Sequence, residues 1–301
     1  MYTINGINSN TEEVIFICIL HDKRLAATSM NRTIQLFNPY NDYKCEYTYP
    51  VQTRIVYSLC QLPNGNIIST SFKNIKVWSV NQPYDLLFSI EKAHNDWAYK
   101  AINIPNNLFV TCSKDCTIKI WKGIQPYNEI PIKVLEGHHS EVKSIVELNN
   151  KIISVSNDRT LKIWNIYTYQ CESIITGLYC FHSNGICIFD DYRIVIGENN
   201  RFYVVNILQC MIEDKIEDHE LSGVYSIGIV NDEVILCGCY HIYCLYNVKK
   251  KQIINKTKTL GCLTIQDILH LETNKVMVCV DGKGKNILTL QLKDINSNCM
   301  I

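Results

Sequence analysis

The chain has no net charge: 29 Lys plus Arg balance 29 Asp plus Glu over its 301 residues. A neutral chain lacks the broad positive field that recruits nucleic acid or an anionic membrane surface, so no nucleic-acid partner is expected. It also lacks any uninterrupted apolar run of about eighteen residues, which argues against membrane insertion. Its opening, MYTINGINSNTEEVIFICIL, has no basic leader before an apolar stretch and no small-residue cleavage site. Secretion is therefore not expected, and the chain is assigned to an intracellular, reducing compartment, the cytoplasm or nucleus. Disulfides are not expected there, so the 15 cysteines read as small buried hydrophobes. No linker or low-complexity tract divides the chain. A single domain over residues 1–292, with a short polar tail at 293–301, is the expectation.

What is present is a repeat. The stretch from Gly137 to Trp164 holds two short alternating apolar runs, each ended by a turn, and its skeleton recurs along the chain. The third run of successive units ends at Phe37, Trp78, Trp121, Trp164, Val205 and Tyr246, spaced 41 to 43 residues apart. Each unit reads as four short strands with turn signals between them. The spacing predicts an all-β fold, a seven-bladed β-propeller of four-stranded antiparallel blades. Blades are placed at 11–50, 51–91, 92–136, 137–177, 178–219, 220–259 and 260–292. The last unit shows only three runs, so residues 2–7 are expected to supply its fourth strand and close the ring. An unpaired sheet edge is an aggregation liability, which gives such closure a motive.

Two successive units carry more than the strand pattern. One reads Ala93-His94, Ser113-Lys114-Asp115 and Ile118-Lys119-Ile120-Trp121; the next reads Gly137-His138, Ser156-Asn157-Asp158 and Leu161-Lys162-Ile163-Trp164. The order of His, Ser, Asp and Trp is shared, and so is the spacing from Ser to Trp. On these residues the chain resembles the WD-repeat propellers over essentially its whole length. It also departs from them. Ser79, Lys122 and Asn165 stand where the acidic residue of the family's Trp-Asp pair belongs, and the later units lose both Asp and Trp.

The His, Ser and Asp could be taken for a nucleophilic triad. The donor inventory favours a structural network instead: Trp164 N–H to Ser156, Ser156 O–H to His138, and His138 N–H to Asp158 satisfies every member. Its duplication as His94, Ser113, Asp115 and Trp121 argues the same way, because enzymes rarely duplicate a triad. The cluster Cys237, Cys239, His241 and Cys244 holds good metal ligands, but it straddles a strand, a turn and the next strand rather than forming a zinc knuckle. Packing is favoured there. No catalytic residue, metal site or cofactor is assigned.

The resemblance implies a non-catalytic scaffold whose loops crowd one mouth of the ring and dock proteins or peptides. By matched position, Met30, Lys114 and Asn157 face that mouth, and the entry loops add Arg54, Trp97 and Glu141. An exposed Trp beside Lys and Arg is a fair hot spot. A substrate receptor of a ubiquitin ligase is an alternative within the class, although no helical module precedes the ring. A propeller hydrolase with a channel metal is the competing class. It needs carboxylates or histidines at blade starts, where Val14, Ile55, Ala98 and Val142 stand instead.

Overall fold

The computed structural model describes residues 3–7, 14–41, 43–50, 52–180, 182–258, 264–272, 275–280 and 287–291. The polar tail expected at 293–301 lies outside these. Among the described residues the strands form seven four-stranded antiparallel sheets arranged as a β-propeller. Six of the sheets are each built from four strands consecutive in the chain; in the other, Thr3–Ile7 joins Ile287–Gln291, Lys275–Val280 and Ile265–Glu272. We number the sheets by their first strands: Val14–Ile19, Val56–Gln61, Ala98–Ile104, Val142–Leu148, Ile186–Ile188, Val224–Ile229 and Ile265–Glu272. These strands lie at the sheet edges that face the centre.

The sheets form where the sequence alternates, because apolar side chains on both faces of a sheet are buried against its two neighbours. Val110, Cys112, Ile118 and Ile120 of sheet three pack with Val142, Ile145, Ile152 and Trp164 of sheet four. Val155, Leu161 and Ile163 of sheet four pack in turn with Ile194, Ile196 and Val205 of sheet five. Another such cluster joins Val14, Ile17, Leu25 and Phe37 of sheet one to Ile287 of the seventh sheet. The fourth strands, by contrast, are mostly exposed or half-buried, and Met211–Glu217 is rich in charge. Their register is held by the backbone ladder to the third strand rather than by burial.

Two features shape the inner ends of the sheets. First, six of the central strands carry a register shift near their start, between Val14/Phe16, Val56/Ser58, Ala98/Lys100, Val142/Ser144, Val224/Ser226 and Ile265/Asp267. Each shift leaves one extra residue, re-aimed out of the regular alternation. Second, Asn184, entering sheet five, reaches two other sheets. Its amide donates to the carbonyl of Ile15 at 3.4 Å and of Gln266 at 3.0 Å, and both acceptors are bulge residues. The bulges free carbonyls that a regular ladder would occupy.

Sheets five to seven also approach one another closely. A Cβ on Gly197 would run into Val224, one on Gly228 into Ile268, and one on Gly238 into Ile265. Glycine is required at these positions for space.

Candidate functional site

The polar network of sheets three and four differs from the expected relay in one member. The Trp164 Nε1–H donates to Ser154 Oγ at 2.9 Å, not to Ser156, and Ser154 Oγ lies 2.8 Å from His138 Nε2. His138 Nδ1 is 2.8 Å from Asp158 Oδ2. In sheet three Thr111 takes the same place, 2.9 Å from Trp121 Nε1 and 2.8 Å from His94 Nε2, with His94 Nδ1 3.0 Å from Asp115. Ser156 and Ser113 are therefore outside the relay. Alternate residues of a strand share a face, so Ser154 and Ser156 point the same way, and reach decides between them. Ser154 is opposite Lys162 in the ladder, within range of an indole two residues on. Ser156 sits at the strand end, where its hydroxyl accepts the Asp158 N–H at 3.1 Å and donates to the Ser140 carbonyl at 3.0 Å.

A carboxylate can only accept, so His138 Nδ1 carries the proton and Nε2 accepts from Ser154, whose oxygen accepts from Trp164. The imidazole is neutral in this arrangement. Burial lowers the basicity of His94 and His138, outweighing the neighbouring carboxylates. Burial would raise the Asp158 carboxyl, but hydrogen bonds from Thr160, the His139 N–H and His138 hold it well below the usual carboxylate range. The hydroxyls of Ser154 and Thr111 are fully buried and hydrogen-bonded on both sides. The set ties entry loop, turn and third strand together.

Among the described residues no group of three His, Cys, Asp or Glu could hold a metal ion. Cys237, Cys239 and Cys244 are buried in the core between sheets five and six, with Cys237 directly opposite Cys244.

The exposed chemistry is gathered at the mouth of sheets two to four. Trp97 is 38% exposed. One face of its ring stacks on Tyr57 (centroids 5.6 Å, planes 23° apart), and Phe72 and Tyr99 meet it edge-on at 6.4 Å. Cations surround these rings: Lys114 Nζ is 5.3 Å from the Trp97 centroid, and Arg54 and Lys73 are 5.3 and 5.4 Å from that of Phe72. Glu141 is tied down by Lys143 at 2.5 Å, by the Tyr99 hydroxyl at 3.0 Å and by Lys114 at 3.7 Å. Burial would raise the Glu141 carboxyl, yet these three partners lower it. Asn157 Nδ2 donates to Glu141 at 3.4 Å while its Oδ1 is buried without a partner.

Of the six mouth residues named from sequence, Arg54, Trp97, Lys114, Glu141 and Asn157 thus form one connected surface. Met30 is exposed in the turn between Leu25–Ser29 and Ile34–Asn38 of sheet one. Sequence reasoning missed Phe72, Tyr57 and Tyr99. Phe72 follows Ser71 as Lys114 follows Ser113, so the same alignment could have found it. Tyr57, Tyr99 and Lys143 are the bulge residues of their strands, and alternation carries no sign of a bulge.

Comparison with known families finds one match. The family model described as WD domain, G-beta repeat matches residues 87–122 and 129–165, the two units that hold the complete networks. No curated protein matches the chain. Among the described residues no helix is long and apolar enough to cross a membrane.

Proposed function

We propose that the chain is a WD-repeat β-propeller and a non-catalytic scaffold that docks an acidic protein segment at the mouth of sheets two to four. WD-repeat propellers generally act as interaction scaffolds. The observation that carries the specific reading is the cation-flanked aromatic surface of Trp97, Tyr57 and Phe72. Arg54 and Lys73 stack on Phe72 and make no ion pair among the described residues. An acidic segment with an aromatic or long apolar anchor complements such a surface, the anchor on the indole and the carboxylates on the two cations. The rings are already stacked on one another, so the surface is preorganised and little side-chain entropy is lost on binding.

The test is affinity capture with the full chain, followed by titration of the captured partner. Trp97→Ala is expected to weaken binding about 30-fold, roughly 2 kcal/mol, and Arg54→Ala to weaken it less and make it less salt-dependent. Capture of the same partners at undiminished affinity by a Trp97→Ala, Arg54→Ala chain would place docking elsewhere.

The scaffold reading requires a rigid disc. We infer seven blades, with Thr3–Ile7 completing the seventh and closing the ring. Its pairing with Ile287–Gln291 supports this, as do the Ile287 cluster with sheet one and the Ile17 N–H donating to Asp267 at 3.0 Å. Deleting residues 1–10 exposes the edge of Ile287–Gln291. It is expected to lower Tm by about 2–4 °C for each kcal/mol of pairing lost. An unchanged Tm would show that the strand adds nothing.

A further inference from the structure

Near the centre of the propeller lies a cavity of about 260 Å³ lined by residues of sheets one, three, five, six and seven. Space of that size holds about eight waters, or a ligand of roughly six to eight non-hydrogen atoms. Its walls are unlike the mouth: Ile186, Ile227 and Ile268 supply apolar surface, and a lysine and an aspartate stand among them, Lys100 from sheet three and Asp267 from sheet seven.

Lys100 and Asp267 sense each other's charge across the cavity, yet neither makes a direct ion pair among the described residues. The Lys100 ammonium donates to Ser144 Oγ at 3.2 Å and to the Ser183 carbonyl at 3.4 Å, both neutral. Among the described residues it makes no ion pair. Asp267 accepts backbone N–H groups from Ile17 and Ile268, each at 3.0 Å, and makes no ion pair either. A cation withdrawn from water with no counter-ion in direct contact is costly, and an anion brought to it recovers part of that cost. One ammonium suits a monoanion rather than a phosphate dianion, and the isoleucines require an apolar body. Burial also pushes the Asp267 carboxyl up to about 7. Protonated, it adds one O–H donor to the cavity.

We propose that the cavity is a binding site for a small organic monocarboxylate, its carboxylate on Lys100 and its hydrocarbon body against Ile186, Ile227 and Ile268. The site is separate from the docking surface and does not depend on it. A carboxylate bound beside Asp267 favours the protonated form of that residue, so binding takes up a proton and tightens as pH falls through about 7. The titratable groups that line the cavity with Asp267 are Lys100, Cys187 of sheet five and His270 on its own strand, and Cys18 of sheet one lies within reach of its charge. Burial pushes the Cys18 and Cys187 thiols up to about 12, so they stay uncharged.

The experiment is calorimetric titration of isobutyrate into the full chain, about one pH unit either side of 7, in two buffers of different ionisation enthalpy. Saturable binding with net proton uptake is expected, tighter at the lower pH. Lys100→Met should weaken it about tenfold or more, and Asp267→Asn should keep binding but abolish proton uptake. Absence of saturable binding to the wild-type chain overturns the proposal, as does unchanged affinity in Lys100→Met. Equal or tighter binding of isobutylamine assigns the site to a cation, and of inorganic phosphate to a plain anion; either result also overturns it. These wild-type arms decide the matter even if Lys100→Met fails to fold.

Discussion

Ser154→Ala is expected to destabilise the propeller by about 2–4 kcal/mol, although the change removes a single oxygen. Two buried partners lose their bond at once: the Trp164 Nε1–H has no acceptor and His138 Nε2 has no donor. Each orphaned buried group costs about 1–3 kcal/mol. Ser156→Ala, two residues along the same strand, is expected to cost about 1 kcal/mol, because its partners are the Asp158 N–H and the Ser140 carbonyl at the strand end. Denaturant melts of the two single variants check the ranking. Equal losses, or a larger loss for Ser156→Ala, would restore the relay read from spacing. A further variant separates orphaning from packing. In Ser154→Ala, Trp164→Phe the indole donor is gone, so the double loss should fall short of the sum of the singles.

The dependence of stability on pH should be shaped by groups of opposite sign, and one substitution should expose them. Burial, with Lys143 and Lys100 nearby, lowers His182 to about 4 from the ordinary 6.5. A base weakened by folding contributes stability that is present above 6.5 and lost as pH falls towards the folded value, here about 3 kcal/mol for the interval. His94 and His138 are weakened in the same direction. Asp267 acts oppositely. Its carboxyl is raised by burial from 3.8 to about 7, so its contribution is full below 3.8 and lost as pH rises through about 7. Between about 4 and 7 the two trends offset, and the wild-type chain should show a shallow profile. Below 3.8, protonation of Asp115 and Asp158, both held low in the fold, removes their contribution and stability should fall steeply. Asp267→Asn deletes the offset, so its stability should decline from about 6.5 downward. Urea melts across this range test the assignment; parallel profiles for wild type and variant would refute it.

The repeat was legible because it depends on quantities a sequence displays. Alternating apolar runs mark the strands, and Trp121 and Trp164 fall at one point of the unit with Asp115 and Asp158 a fixed distance before them. The members of the candidate surface fared unevenly for a physical reason. Trp97 and Lys114 sit at positions fixed relative to their turns and could be named. Tyr57 and Tyr99 reach the surface only because an extra residue interrupts the strand, and a register shift depends on hydrogen bonds that no residue type announces. Ser154 and Ser156 share a face, so spacing alone does not rank them. The Lys100 and Asp267 cavity could not be anticipated. Its members come from different sheets, and in the sequence neither is marked off from the other polar residues of its strand. Asn184 likewise gives no sign that its amide joins sheets one and seven.

The close approach at Gly197, Gly228 and Gly238 makes the halves of the propeller fail differently under random mutation. In sheets two to four a large indole fills the space between neighbours, so harm comes from shrinking a side chain: Trp121→Ala or Trp164→Ala opens a void, yet the backbones need not move. In sheets five to seven the space beside these three glycines is already closed, and there harm comes from growth. A single added methyl at Gly228 has to displace Ile268 or spread two sheets. In a library of all single substitutions, the least permissive sites of the second half should include residues with no side chain to lose. A scale that ranks importance by the volume of the native side chain would pass over them.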